Sequence, residues 1–246
     1  LQPFWSSGGN AAIRMTTLTG TIPSVTWNTG SAIFITSGIS NYSTSASSNN
    51  INSNYSPQAV DFRKLCANDG RLCNYVMVNG NVWTAQHIFL PQGSTTNRTA
   101  VQWWQINPSG VVLQNGRIDD PSGVYNRSFP SIAVNSAEDV VVGYTLTSGS
   151  MFASAAYAIR KACTPANKME YESIYKNGVD WYYKDFSQGA GRDRWGDFSA
   201  SCVDPSNGHL WTIQEYAAAR AGAGDNNSRW ASWWAEILPE SNNAIS

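Results

Sequence analysis

A short run of residues occurs twice in this chain and limits its fold more than any other feature. Trp-Thr-Ala-Gln at 83–86 returns as Trp-Thr-Ile-Gln at 211–214. Each copy follows a short strand-like segment and a turn containing Asn or Asp, and each precedes two adjacent Trp residues. Such repetition is typical of folds in which similar units bury their apolar faces against one another.

A third unit lies between the two copies, from Phe129 to Ile159, and the turn residues Asn79, Asn135 and Asp204 mark equivalent points. Repeated units of three or four strands predict an all-β protein, a β-propeller of antiparallel blades. The predicted single domain contains a partial blade at 1–28, a loop-rich excursion at 29–70 and blades at 71–118, 128–183 and 194–238.

These units supply about three and a half to four blades, and the last one shows no obvious outer strand. An unclosed arc would leave apolar faces and strand edges in water. Because the chain also starts at Leu1 without Met, we expect a trimmed chain whose ring is completed by a second polypeptide. That polypeptide is either an N-terminal fragment of the same precursor or a second copy. A compact four-bladed monomer is the alternative.

Composition excludes several other classes of protein. Charged residues make up 13% of the chain, about half the usual ~25%, and the net charge is −1. This balance argues against a nucleic-acid partner, and no apolar run reaches the ~18 residues of a membrane-spanning helix. The 11 Trp, 11 Tyr and 8 Phe favour a strand-rich fold.

Four segments resemble a known group of proteins: Phe-Pro-Ser-Ile-Ala-Val-Asn at 129–135, Arg-Trp-Gly-Asp-Phe-Ser-Ala at 194–200, Val-Asp-Pro at 203–205 and Leu-Trp-Thr-Ile-Gln-Glu-Tyr at 210–216. They look like secreted, largely uncharacterised bacterial β-propeller proteins related to sialidase-type propellers. The resemblance implies a propeller fold and a secreted, periplasmic or cell-surface location. The sialidase turn motif Ser-x-Asp-x-Gly-x-x-Trp has a different spacing from residues 204–211, so no sialidase chemistry is implied.

In a propeller the loops of every blade converge on one face, where ligands usually bind. The predicted strands bring a set of candidate residues to that face. Asp197, Glu215 and His87 are the candidate catalytic residues, as an acid/base pair and a proton shuttle. The candidate ligand-binding residues are Arg194, Trp195, Gln86, Gln214, Tyr216 and Arg127.

Structural roles are the alternative for the same residues. Asp197 can accept backbone N–H bonds in the turn after Trp195, and Glu215 can form an ion pair with Arg194. His87 occupies the repeat position of Glu215, which favours a shared structural role. The paired Trp residues, Trp103-Trp104 and Trp233-Trp234, favour core packing, with a sugar-stacking platform as the alternative.

The four cysteines predict two disulfides. Cys66 and Cys73 flank a turn-forming spacer, which suits a local bridge, and this leaves Cys163 and Cys202 to each other. Four buried thiols are the alternative. A zinc site is disfavoured because no Cys-x-x-Cys occurs and only two His are present.

No cofactor is predicted, although Asp119-Asp120, Asp204 and Asp225-Asn226-Asn227 offer oxygen ligands for a structural Ca²⁺. Nucleotide-binding, serine-hydrolase and zinc-protease motifs are all missing from the sequence. Asn-x-Ser/Thr sequons, which weakly support a secreted glycoprotein, start at Asn41, Asn54, Asn97, Asn126 and Asn226.

Together these features predict a secreted β-propeller that acts as a binding or scaffold module for a glycan or protein ligand. The alternative is an extracellular carbohydrate-active enzyme, a glycosidase or polysaccharide lyase, that uses Asp197 and Glu215. A third hypothesis is a structural subunit of an extracellular assembly. The separation and burial of the carboxylates discriminate between a hydrolase and a binding module.

Overall fold

The computed structural model describes residues 2–5, 11–34, 55–59, 64–68, 70, 72, 74–91, 96–184, 193–196 and 199–238. This part of the chain consists of strands, turns and a single 3-10 turn at Asp225–Asn227. The predicted all-β class is confirmed, with several antiparallel sheets, none of which closes on itself. No helix in these described ranges is long and apolar enough to cross a membrane.

The first sheet is an antiparallel hairpin with a short third strand. It contains β1 (Gln2–Trp5), β2 (Ala11–Thr21) and β3 (Ser24–Phe34) in that order. A small sheet contains β4 (Tyr55–Ser56), β5 (Leu65–Cys66) and β14 (Asp193–Arg194), with β14 parallel to β5. This small sheet joins segments that lie far apart in the sequence.

The second and third sheets are four-stranded meanders. The second contains β6 (Asn74–Val78), β7 (Asn81–Leu90), β8 (Arg98–Ile106) and β9 (Val112–Ile118). The third contains β10 (Tyr125–Val134), β11 (Val140–Ser148), β12 (Met151–Arg160) and β13 (Tyr171–Lys176). The fourth sheet has three strands, β15 (Ala200–Val203), β16 (Leu210–Ala218) and β17 (Arg229–Ile237).

The turn between β6 and β7 shows how local sequence sets these meanders. Asn79 and Gly80 both have positive φ, at 49° and 77°. Two consecutive residues with positive φ form the turn type whose twist matches that of paired strands, and Asn-Gly is its preferred sequence. The repeated turn residues therefore mark the first hairpin of a sheet.

The four larger sheets pack face to face in the order first, second, third and fourth. Ile13 of β2 packs against Ile88 and Trp104 of the second sheet. The second and third sheets share the largest apolar cluster, which includes Trp83, Trp103, Ile132, Val142 and Tyr144. The third and fourth sheets meet through Ala133, Val141, Ile159, Leu210 and Ile237. Each repeat therefore buries its apolar face against the next one.

Contrary to the sequence prediction, Cys163 and Cys202 do not form a disulfide. Ser201 Oγ lies 2.8 Å from Ser131 Oγ of the third sheet, and Val203 packs against the same sheet. Because side chains alternate along a strand, Cys202 points to the opposite side of β15. Cys163 lies in the turn that follows β12, so the two sulfur atoms are kept apart by the fourth sheet.

The other predicted bridge involves a residue outside the described part of the chain, Cys73. Its partner Cys66 carries a buried thiol, whose Sγ lies 3.6 Å from Oδ1 of Asn68. No disulfide is present among the described cysteines.

Candidate functional site

A cluster of apolar side chains covers one end of the third and fourth sheets, the end at which the candidate residues were predicted to meet. Its members come from six separate parts of the chain: Leu65, Phe129, Ala153, Tyr182, Trp195 and Ala217. We call this group the strand-end cluster. The small sheet lies within it because Leu65 is in β5 and Trp195 directly follows β14.

Two aromatic rings form the centre of the strand-end cluster. The rings of Tyr182 and Trp195 meet edge to face, with centroids 5.0 Å apart. The indole Nε1–H of Trp195 donates to Oγ1 of Thr145, at 3.2 Å. The side chain of Gln58 accepts the Tyr182 N–H at 2.9 Å and donates to its carbonyl at 2.7 Å. These bonds hold both rings rigidly.

The charges of two carboxylates act on the Tyr182 hydroxyl. Burial raises the pKa of Tyr182, and the negative charges of Asp193 and Glu215 raise it further. Asp193 is completely buried and accepts the Lys184 N–H at 2.9 Å. Tyr182 and Asp193 are both withdrawn from solvent.

Glu215 is also packed tightly against the backbone. Its carboxylate lies over Gly196, so that a Cβ atom at position 196 would overlap the Glu215 carboxyl group. Gly196 is therefore required here for close approach rather than for an unusual backbone angle. Arg194, in β14, is adjacent in sequence to both Asp193 and Trp195. Glu215, Arg194 and Trp195 are thus brought to the strand-end cluster, whereas Asp197 lies outside the described residues.

His87 lies next to this cluster, in the gap between the second and third sheets. Its Nδ1 accepts the Phe129 N–H at 3.3 Å, which requires an unprotonated Nδ1. Its ring packs edge-on against Phe89 and Phe129, with centroids 5.6 and 5.4 Å away. The side chain is almost completely buried. His87 thus fixes the backbone of β10 at Phe129, where the register of that strand shifts.

The two predicted glutamines lie between sheets instead. Gln214 is buried against the third sheet, and its amide donates to Ser131 Oγ at 3.0 Å and to Thr212 Oγ1 at 3.1 Å. Gln86 is also buried and, by strand alternation, points to the opposite side of β7 from His87, toward the first sheet. Neither side chain reaches the strand-end cluster.

Arg127 belongs to a network within the third sheet that is buried at Arg127 and partly exposed at Glu172. Its Nε and Nη2 donate to the two carboxylate oxygens of Glu172, at 2.8 and 2.7 Å. The Tyr144 hydroxyl donates to the same carboxylate at 2.5 Å. Burial acts to lower the pKa of Arg127, but the hydrogen bond and charge of Glu172 outweigh it and raise the pKa overall. Arg127 is thus occupied by a structural ion pair.

Tyr216 lies apart from the other candidates, in an aromatic patch beside β17. Its ring meets Trp233 edge to face, with centroids 6.4 Å apart. Lys176 Nζ lies 4.3 Å from the Trp233 ring and 5.0 Å from the Tyr216 ring. Trp233 also stacks with Trp234, at 6.3 Å. We call Lys176, Tyr216 and Trp233 the edge patch.

The predicted calcium ligands have other roles where they are described. Asp119 pairs with Arg98, with Oδ1 2.9 Å from Nε. Asp120 accepts the N–H groups of Ser122 and Tyr125, and the Ser122 hydroxyl bond is the largest cause that lowers its pKa to about 2. Among the residues that can be described, no group of three or more His, Cys, Asp or Glu is arranged to hold a metal ion.

Comparison of the chain with models of known protein families, with curated proteins and with solved structures gives no match. The functional argument therefore rests on the side chains themselves.

Sequence reasoning missed three residues of this site: Gln58, Tyr182 and Asp193. Asp193 directly precedes the Arg-Trp-Gly segment that the resemblance singled out, and Tyr182 lies in the aromatic run Trp-Tyr-Tyr at 181–183. Both signals are present in the sequence. Their meeting with Glu215 depends on the path of the chain between β13 and β15, which no local pattern predicts.

Proposed function

We propose that the four larger sheets are blades of a secreted β-propeller and that the chain is a binding and scaffold module rather than an enzyme. The proposal rests on one observation: the polar residues best suited to catalysis are engaged in structural contacts. His87 holds the Phe129 backbone, and Glu215 packs on Gly196. The face-to-face stacking of repeated sheets supports the propeller.

The edge patch is the proposed ligand-binding surface, with a glycan as the ligand. Trp233 retains 46% exposure despite its contacts with Tyr216 and Lys176. Exposed Trp and Tyr rings stack on the apolar faces of sugar rings, and an ammonium group pairs with sugar carboxylates. This combination favours an anionic glycan over a neutral one.

A glycoside hydrolase or lyase is the second candidate. The observation that favours it is that Asp193 and Glu215 both belong to the strand-end site, where the charges of both act on Tyr182. Paired carboxylates are the acid/base groups that glycosidases use. In this alternative Glu215 acts on the substrate, and Asp193 or Asp197 supplies the second carboxylate.

Titration with hexagalacturonate and with cellohexaose separates the two functions. Tryptophan fluorescence and calorimetry should show binding of hexagalacturonate that is lost in Trp233→Ala and weakened in Lys176→Ala. Chromatography of the same mixtures should show uncleaved oligosaccharide with wild type. Product formation by wild type that disappears in Glu215→Gln would establish the hydrolase or lyase function. Equal binding by wild type and Trp233→Ala would exclude the edge patch as the glycan-binding surface.

A further inference from the structure

The register of the repeats shows which face of the fourth sheet stays exposed among the residues that the structure describes. In the second sheet Ala85 lies opposite Trp103, and in the fourth sheet Ile213 lies opposite Trp234. The repeated Trp-Thr-x-Gln motif aligns Ala85 of the second sheet with Ile213 of the fourth sheet. Three residues therefore correspond one to one across the two sheets: Trp83 with Trp211, Ala85 with Ile213 and Trp103 with Trp234.

The corresponding faces differ sharply in exposure. Trp83 and Trp103 are 0% exposed because the first two strands of the third sheet, with Ile132, Val142 and Tyr144, cover them. Trp234, the counterpart of Trp103, is 65% exposed. We call the exposed part of this side of the fourth sheet, which carries Ile213, Trp230 and Trp234, the open face. On the same side Glu215 packs on Gly196, and Ala217 lies in the strand-end cluster. The chain's own repeats show that two adjacent strands of another sheet cover such a face.

The other end of the row of sheets presents a hairpin with an apolar face of its own. Ile13 and Met15 of β2 point toward the second sheet. Residues 17–28 are exposed on both sides of the hairpin, and by strand alternation Leu18, its cross-strand partner Trp27 and the nearby Val25 lie on the side opposite to Ile13 and Met15. Leu18 and Trp27 are 61% and 63% exposed. Residues 18–27 of β2 and β3 form what we call the free hairpin.

The charges on the two surfaces are compatible with contact. No residue from 15 to 28 carries a charge, so the free hairpin has no ionic group to desolvate. On the open face the carboxylate of Glu236 lies 2.6 Å from Nδ1 of His209. That carboxylate therefore already has a partner. Exposed apolar patches of this kind mark sites of protein–protein contact.

We propose that the free hairpin of one copy packs on the open face of a second copy, and that the reverse contact forms at the same time. The two contacts make a symmetric dimer in which the row of sheets continues from one chain into the next. Two chains with four sheets each would close a ring within the four to eight blades of known propellers. The inference rests on the propeller part of the proposed function and names its partner as this chain.

Light scattering of the full chain after size exclusion tests the dimer. We expect a mass of twice 26.8 kDa, and a single-chain mass for both Trp234→Arg and Leu18→Arg. The control is Leu113→Arg, which alters an equally exposed leucine of β9, away from both surfaces, and should remain dimeric. Circular dichroism checks that each variant is folded. If Trp234→Arg or Leu18→Arg fails to fold, Trp234→Ser and Leu18→Ser replace them.

A mixing experiment identifies the two surfaces as partners. Each single variant retains one intact surface, so an equal mixture of Trp234→Arg and Leu18→Arg should recover a dimer held by one contact. A dimer that survives Leu18→Arg alone would show that open faces pair with each other, and would overturn the proposal. A folded wild-type monomer or an open polymer would also overturn it. Glycan binding is measured separately through Trp233, so failure of the dimer and failure of the binding function are distinguishable.

Discussion

Gly143 lies in the middle of β11, at a point where the fourth sheet packs closely against the third. A Cβ atom at this position would overlap Oγ1 of Thr212 and the amide nitrogen of Gln214. Both of those groups are buried and hydrogen-bonded to each other. The absence of a side chain at Gly143 therefore allows the polar contact between the sheets.

We expect Gly143→Ala to lower the free energy of unfolding by about 1–3 kcal/mol, because the added methyl group must displace buried polar atoms. Urea denaturation followed by fluorescence measures this change. The matched control is Gly149→Ala in the β11–β12 turn, where the added Cβ meets no atom within 4 Å. Its effect should stay below about 1 kcal/mol. Equal effects of the two substitutions would contradict the close-packing argument.

At the scale of the elements, the third sheet is held together across its strands by the Arg127 ion pair. Glu172 of β13 binds Arg127 of β10 and also accepts the Tyr144 hydroxyl of β11. The Arg127 side chain is only 6% exposed, and the Glu172 side chain is 30% exposed. The pair thus joins the first and last strands of one sheet.

Glu172→Met should lower the free energy of unfolding by about 3 kcal/mol, since it leaves the Arg127 charge buried without its partner. The double variant Arg127→Met/Glu172→Met removes both charges and should be less destabilised than Glu172→Met alone. Thermal and urea unfolding of the two variants provide the comparison. A double variant that is as unstable as the single one, or more so, would show that the ion pair is not the source of the loss.

Across the whole molecule, stability should decrease from the central sheets toward the two ends of the row. Nine of the twelve largest fully buried side chains of the described residues belong to the second and third sheets, whereas the free hairpin and most of β17 expose theirs. Amide hydrogen exchange reports such differences in local opening. We expect the slowest exchange in β7, β8, β10, β11 and β12, and the fastest in the free hairpin of Trp234→Arg.

The same measurement on wild type bears on the dimer. The free hairpin and the open face should be protected in wild type and lose that protection in Trp234→Arg, while β7 and β11 remain unchanged. Identical exchange of the free hairpin in both proteins would count against the head-to-tail contact.

The candidate site was only partly predictable from the sequence. Glu215 comes directly after the repeated Trp-Thr-Ile-Gln motif, and Trp195 belongs to the Arg-Trp-Gly segment. Both side chains reach the end of the sheets at which the sequence predicted a site. Gln214 follows a similar pattern but is used to join two sheets, because the Ser131 hydroxyl of the neighbouring sheet lies beside it. A sequence pattern predicts which face of a strand a side chain occupies. It does not predict which neighbour fills the space in front of that face.

By itself the sequence determined the all-β class, the strand meanders and their repetition, because alternation and turn preferences act over a few neighbouring residues. Tertiary structure decided which distant groups meet. It placed Asp193 and Tyr182 beside Glu215, and it separated Cys163 from Cys202 by turning Cys202 away from the third sheet. Such meetings depend on sheet register and on the packing of whole sheets, which are set by contacts between residues far apart in the chain.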